Sequence, residues 1–151
     1  MVGLEFKVKN GYNNFLYKIF NSINVQQYEW DIITDDIINS QSKVNDGIFT
    51  SSTVDGKSFL NAIMDKNYQM IFVDLKAFKS GSEHIEITNF KDFTESDCEI
   101  IFLCVDSIFI EFYAKDELIL NTVYNNCIKF GFEFSNYISK EEASTKPLIA
   151  W

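Results

Sequence analysis

Proline is nearly absent: Pro147 is the only one, and glycine occurs six times in 151 residues. No Pro/Gly-rich linker separates two folding units, and the length suits a single domain over residues 1–151. Histidine is limited to His84, and with no thiolate cluster beside it a zinc site of either structural or catalytic type is disfavoured. Cys98, Cys104 and Cys127 are odd in number and contain no C-x-x-C pair, which points to a reducing compartment rather than a disulfide framework. Cys104 and Cys127 lie among apolar neighbours and read as small buried hydrophobes. Cys98 lies between Asp97 and Glu99, whose charges raise a thiol pKa, the wrong direction for a reactive thiolate. No signal-peptide apolar segment follows Met1. The longest apolar run, residues 100–105, is far shorter than a membrane span. Cytoplasmic placement is the expectation. Positive charge is also scarce, with 13 Lys+Arg against 22 Asp+Glu and a net charge of −9. A broad cationic surface for nucleic acid or anionic lipid is therefore excluded, whereas a basic protein partner is permitted.

What is present is apolar and aromatic. Apolar residues make up 46% of the chain and aromatics 16%, so a disordered chain is excluded and a sizeable core is available. Leu4, Phe6 and Val8 alternate with Glu5, Lys7 and Lys9, as in a half-buried strand. Tyr12, Phe15, Leu16, Ile19, Phe20 and Ile23 then recur at helical spacing, which predicts a helix over residues 12–22. Residues 28–39 read as a hairpin turning at Asp35-Asp36 or as one bent strand, and residues 39–46 as polar loop. Asp55 is placed to cap a short helix carrying Phe59, Leu60, Ile63 and Met64. A strong strand over residues 68–78 sets Val73, Leu75 and Ala77 against Asp74, Lys76 and Phe78. A short edge strand is predicted at residues 84–87.

Residues 98–139 are the most ordered stretch of pattern. Two apolar strands, 99–105 and 108–114, meet at Asp106-Ser107 and form an antiparallel hairpin without the Asn-Gly or Asp-Gly of a primed turn. Asp116 caps a helix whose inward stripe is Leu120, Val123, Tyr124, Cys127 and Ile128, with Asn121, Asn125 and Asn126 outside. Gly131 ends it. Phe132, Phe134, Tyr137 and Ile138 continue as a strand, and Leu148 to Trp151 read as a short docked tail or strand. The fold class is α+β: an antiparallel or mixed sheet of about five to seven strands with about three helices packed on one face.

Chemistry-bearing patterns are few. His84 has no visible partner and reads as an exposed or locally bonded ring. The acidic groups Asp31/Asp35/Asp36 and Asp92/Glu95/Asp97/Glu99 lack calcium-loop spacing and read as solvated surface. Gly56-Lys57-Ser58 lacks the upstream glycine of a phosphate loop, because Ser51 stands there. No catalytic residue, metal set or cofactor is implied. Glu111 interrupts an apolar strand; it points away from the core if Ile110 and Phe112 point in, and it becomes a functional candidate if both faces are covered. Trp30, Asp31, Asp106 and Trp151 complete the binding candidates, the tryptophans because Trp is enriched at interaction sites.

Residues 102–107, 114–116, 124–126, Gly131-Phe132, Tyr137-Ile138 and Trp151 resemble a family of small bacterial proteins known only as a domain of unknown function, found mostly in spore-forming Gram-positive bacteria. Gly3 to Phe6, Phe15-Leu16-Tyr17 and Glu29-Trp30 are similar too. The resemblance implies a small intracellular bacterial protein and transfers no activity. The expectation is thus a non-enzymatic cytosolic binding or interaction protein, immunity-like or regulatory by analogy, with a basic protein partner. The alternative is a small-molecule or catalytic pocket lined by aromatics and carboxylates such as Glu111, which predicts an enclosed cavity with a buried acid.

Overall fold

Alternating apolar and polar residues build one antiparallel sheet, seen in a computed structural model that describes residues 1–64 and 67–150. Among the described residues it has seven strands: β1 (Gly3–Lys7), β2 (Tyr28–Asn39), β3 (Thr53–Asp55), β4 (Tyr68–Lys79), β5 (Cys98–Val105), β6 (Phe109–Ala114) and β7 (Glu133–Ile138). Their order is β3-β2-β4-β5-β6-β1-β7, and every neighbouring pair is antiparallel. Residues 28–39 form one bent strand; register shifts after Ile32 and Asp36 take up the bend that a turn at Asp35-Asp36 would have made. The β5–β6 hairpin turns with Asp106 and Ser107 both at positive φ, 51° and 70°, the left-handed geometry that matches strand twist even without glycine. Its tip is held by the Ser107 N–H, which donates to Ile71 O at 3.0 Å.

The helices are α1 (Phe15–Ile19), α2 (Gly56–Met64), α3 (Phe90–Thr94), α4 (Glu117–Phe130) and α5 (Lys140–Ala143). The apolar stripe begun at Phe15 is buried as its spacing requires, but α1 is shorter than predicted. Asn13 exchanges backbone hydrogen bonds of 3.0 and 3.1 Å with Tyr68 at the start of β4, so it bridges to the sheet and the helix starts only at Phe15, after the Asn14 N-cap. The Tyr68 hydroxyl lies wholly inside, accepting from Leu16 N at 3.0 Å and donating to Ile63 O at 3.1 Å, and thereby ties α1 and α2 to the sheet. Asp116 caps α4 by accepting from Leu118 N at 2.9 Å, and Gly131 ends it at φ 71°, where a side chain would be strained.

In α4 two assignments from the sequence are reversed. Ile128 is 64% exposed, and Asn126 is 5% exposed. The Asn126 amide donates to Ile19 O at 3.0 Å and Asn21 O at 2.7 Å, satisfying carbonyls at the end of α1 that have no helical partner. Spacing placed Asn126 three residues from Val123 on the buried side; polarity alone had placed it outside.

The sheet is covered on both faces, not one. Leu4, Phe112, Phe102, Leu75 and Ile32 stand in register across five strands and face the larger core, into which α1, α2 and α4 pack. On this side Trp30 stacks on Phe59 at 3.8 Å between ring centroids. The opposite face carries a second core built from Phe78, Ile101, Leu103 and Tyr113, covered by Phe90 and Phe93 of α3, Ala143 of α5 and Leu148 of the tail. Gly3 is required here: a Cβ would come within 2.8 Å of the Tyr113 ring and of Phe112 O. The predicted strand at 84–87 is absent. Residues 83–88 run without regular structure, because Ile87 is pulled into this second core and His84 turns to side chains of β2.

Asp74 and Lys76, which alternation would leave in solvent, are fully covered by the tail. Lys76 Nζ pairs with Asp74 Oδ1 at 2.5 Å and donates to Leu148 O at 2.7 Å, while Ala150 N donates to Asp74 Oδ2 at 3.1 Å. Burial pushes the Asp74 carboxyl above its usual range, and the Lys76 ammonium opposes that rise. Removing one partner of such a pair strands a buried charge, at a typical cost of about 3–5 kcal/mol. Lys76→Met is expected to lower stability by about that amount in urea unfolding, and Asp74→Leu/Lys76→Met to recover most of it. Equal losses in the single and double variants would show that the pair does not hold the tail.

Candidate functional site

Strand register gathers polar side chains on the second face into two rows. One runs Glu5, Glu111, Leu103, Asp74, Thr34; the other runs Gly3, Tyr113, Ile101, Lys76, Asp31. Glu111 therefore points away from the larger core, as strand alternation requires. Its side chain is 30% exposed, so it is neither enclosed nor fully buried. It stands directly opposite Glu5 on the adjacent strand. Lys146 from the tail bridges the two, 2.5 Å from Glu5 Oε1 and 3.6 Å from Glu111 Oε1. The Tyr113 hydroxyl donates to Glu111 Oε1. Burial first, and then the hydrogen bond to Glu111, push the Tyr113 phenol far above its usual range. Burial draws the Lys146 ammonium down, but the Glu5 hydrogen bond and the charge of Glu111 outweigh it and leave its pKa raised. Glu142 adds a third carboxylate, and its buried Oε2 has no hydrogen-bond partner among the described residues.

Beside this cluster the second face is uncovered. An open cleft of about 320 Å³ lies over β1 and β6, lined by Glu5, Lys7, Phe109, Glu111 and Ser135. Phe109 is 47% exposed, with the Lys7 ammonium 5.4 Å from its ring centre. Ser135 belongs to β7, an edge strand of the sheet.

A second constellation lies nearer the other edge, and no local sequence pattern signals it. His84 stacks on Phe78 at 4.4 Å between ring centres. Its Nδ1 is 2.8 Å from Asp31 Oδ1 and its Nε2 is 3.2 Å from Glu29 Oε1. Both ring nitrogens thus face acceptors, and only the imidazolium can donate from both. Burial lowers the His84 pKa, but the hydrogen bond and charge of Asp31, followed by those of Glu29, carry it above the usual value. The Gly81 N–H and His84 hold the Glu29 carboxyl below its usual range. More than fifty residues separate His84 from Asp31, and no local spacing encodes that contact.

The remaining candidates are dispersed. Trp30 is wholly buried on the opposite side of the sheet, its Nε1–H donating to Val25 O at 3.0 Å, and offers no surface to a ligand. Asp106 is exposed at the hairpin tip and makes no side-chain hydrogen bond among the described residues. Trp151 lies outside the described residues. The two acidic groups do not converge. Asp35 accepts from Ile48 N and Phe49 N at 3.2 Å, Asp92 accepts from Thr88 N at 3.0 Å, and Glu99 pairs with Lys79 at 3.3 Å. The three thiols are buried, and burial pushes each pKa up to about 12; for Cys98 it outweighs its carboxylate neighbours as the cause. Among the described residues no helix is long and apolar enough to cross a membrane.

Fold and site define an α+β protein with an antiparallel sheet. The chain belongs to the family described as "Protein of unknown function (DUF2691)", which matches residues 1–149. It is similar to "Uncharacterized protein YncE" of Bacillus subtilis (strain 168), with 28% identity over 141 residues that cover 92% of each chain. No solved structure matches.

The raised His84 pKa has a definite sign in stability. The doubly paired imidazolium stabilises the fold fully below the unfolded value of about 6.5, and this contribution is lost as pH rises through the higher folded value. Urea midpoints of the native chain are expected to fall across that window more steeply than those of His84→Gln. Parallel profiles would show that the paired imidazolium contributes nothing.

Proposed function

We propose that this chain is a non-enzymatic, cytoplasmic interaction protein that receives a basic segment of a protein partner at the Glu5–Glu111 cleft. The observation that carries this reading is the like-charged pair on neighbouring strands. Carboxylates directly opposite one another destabilise a sheet. Here three carboxylates, Glu5, Glu111 and Glu142, stand against two ammonium groups, Lys146 and the Lys7 that lies over Phe109, so the cluster keeps one surplus negative charge. A lysine or arginine side chain entering the cleft would meet that surplus, while its aliphatic stem would lie against Phe109. The net charge of −9 would steer such a partner toward the chain. The adjacent edge strand β7 offers unpaired backbone groups to an extended segment. Regulatory and immunity-like roles are both forms of this reading. An enclosed catalytic pocket receives less support, because the cleft is open and the Glu111 side chain is only partly buried.

Isothermal titration calorimetry with penta-lysine checks the proposal. Saturable, salt-sensitive binding is expected, weakened about tenfold, or ~1.4 kcal/mol, by Glu5→Gln/Glu111→Gln. Glu83→Gln/Glu86→Gln, which removes the same charge from exposed positions, is expected to change affinity far less. Equal weakening by both double variants would reduce the effect to net charge and overturn the site.

A further inference from the structure

A second cleft has the opposite electrostatic character. It lies where the loop after β1 meets the end of α4 and has a volume of about 320 Å³. Tyr12, Phe15, Phe130 and Phe132 give it aromatic walls, and Lys9 and Lys18 provide its charge. Among the described residues no aspartate or glutamate lines it, although the chain has 22 of them.

The cationic side is held in place. Lys18 Nζ donates to Asn13 Oδ1 at 2.9 Å and sits 5.9 Å from the centre of the Phe130 ring. Lys129 Nζ approaches the same ring at 5.1 Å. Neither Lys9 nor Lys18 forms an ion pair with a carboxylate among the described residues. The aromatic side is equally ordered: Phe132 packs against Phe15 at 6.3 Å, Phe130 at 6.3 Å and Phe6 at 6.2 Å between ring centres. Phe15 belongs to the core, which fixes the floor, while Tyr12 is 46% exposed at the rim.

We infer that this cleft binds a small organic anion carried on a flat ring, either an aromatic carboxylate or an aromatic phosphate. The ammonium groups of Lys9 and Lys18 take the anionic group as point charges with several donors each. Phe130, Phe132 and Tyr12 take the ring by offset or edge contact. The volume falls at the lower end of small-molecule sites, which suits a single ring system. The site is independent of the acidic cleft: it shares no residue with it and selects the opposite charge.

Amide chemical-shift titration of the native chain with phenyl phosphate and with benzoate tests the assignment. Saturable shifts are expected at residues 9–18 and 130–132 with at least one of the two probes, the stronger identifying the preferred anion. Benzyl alcohol and inorganic phosphate, which carry the ring and the charge separately, are expected to bind at least about tenfold more weakly. Lys9→Met/Lys18→Met is expected to weaken the better probe by about tenfold or more. Phe130→Leu provides a separate check that leaves both lysines in place and is expected to weaken the ring-bearing probes but not inorganic phosphate. Absence of saturable shifts at these amides with both probes would overturn the site. Unchanged affinity in the lysine variant, or inorganic phosphate binding as tightly as the better probe, would overturn its stated chemistry.

Discussion

The Asp74–Lys76 pair is the interaction on which the two-faced architecture depends. It sits on β4, an interior strand between β2 and β5, on the face away from the larger core. Its ions have left water, so each needs every available partner, and the tail supplies Leu148 O and Ala150 N. Isolated, either charge would make the second face costly to bury. Paired and bonded to the tail, they let Leu148, Ala143 and the α3 phenylalanines close a second core over β5. A buried ion pair is weak evidence for stability in itself. Its value here lies in register, because it fixes which part of the tail lies over the sheet.

That placement brings Lys146 to the Glu5–Glu111 pair. The cleft beside Glu111 exists because the covering of the second face stops short of the Lys7–Phe109 end of β1 and β6, leaving Phe109 and Ser135 exposed there. A similar clamp holds the segment before α3, where His84 is gripped between Asp31 and Glu29. The second face is thus organised by ionic contacts between sheet and covering segments, whereas the first is organised by aromatic packing such as Trp30 on Phe59. Polar and titratable chemistry gathers on the former because a core of stacked rings leaves no polar partners.

Much of the fold was legible from local pattern. Alternation at Leu4, Phe6 and Val8, the Asp116 cap, the Gly131 stop and the 98–114 hairpin are each encoded within a few residues, where propensity and periodicity act. Helix α1 lost its first turn to a backbone pairing with Tyr68, fifty-five residues away from Asn13. The polarity of Asn126 points outward, but its helical spacing from Val123 points inward, and spacing wins. The strand expected at 84–87 dissolved because its side chains found better partners in β2 and the second core. Of the site, the orientation of Glu111 was legible from strand alternation. Its neighbours Glu5 and Lys146 were not, since each lies remote in the chain.

The sequence by itself determined the class of object: an acidic α+β chain with a large aromatic core, an antiparallel hairpin at 98–114 and a docked apolar tail. These follow from short-range rules, because side-chain period and capping chemistry operate over a turn or a strand. Only the tertiary structure decided which polar residues are buried and what they touch. Asp74 and Lys76 look like solvent-facing positions until the tail covers them. His84 looks solitary until β2 brings Asp31 and Glu29 to it, and Lys9 and Lys18 look like scattered surface charge until α4 sets Phe130 beside them. Burial and charge pairing depend on long-range contacts, and those contacts give each cleft its sign.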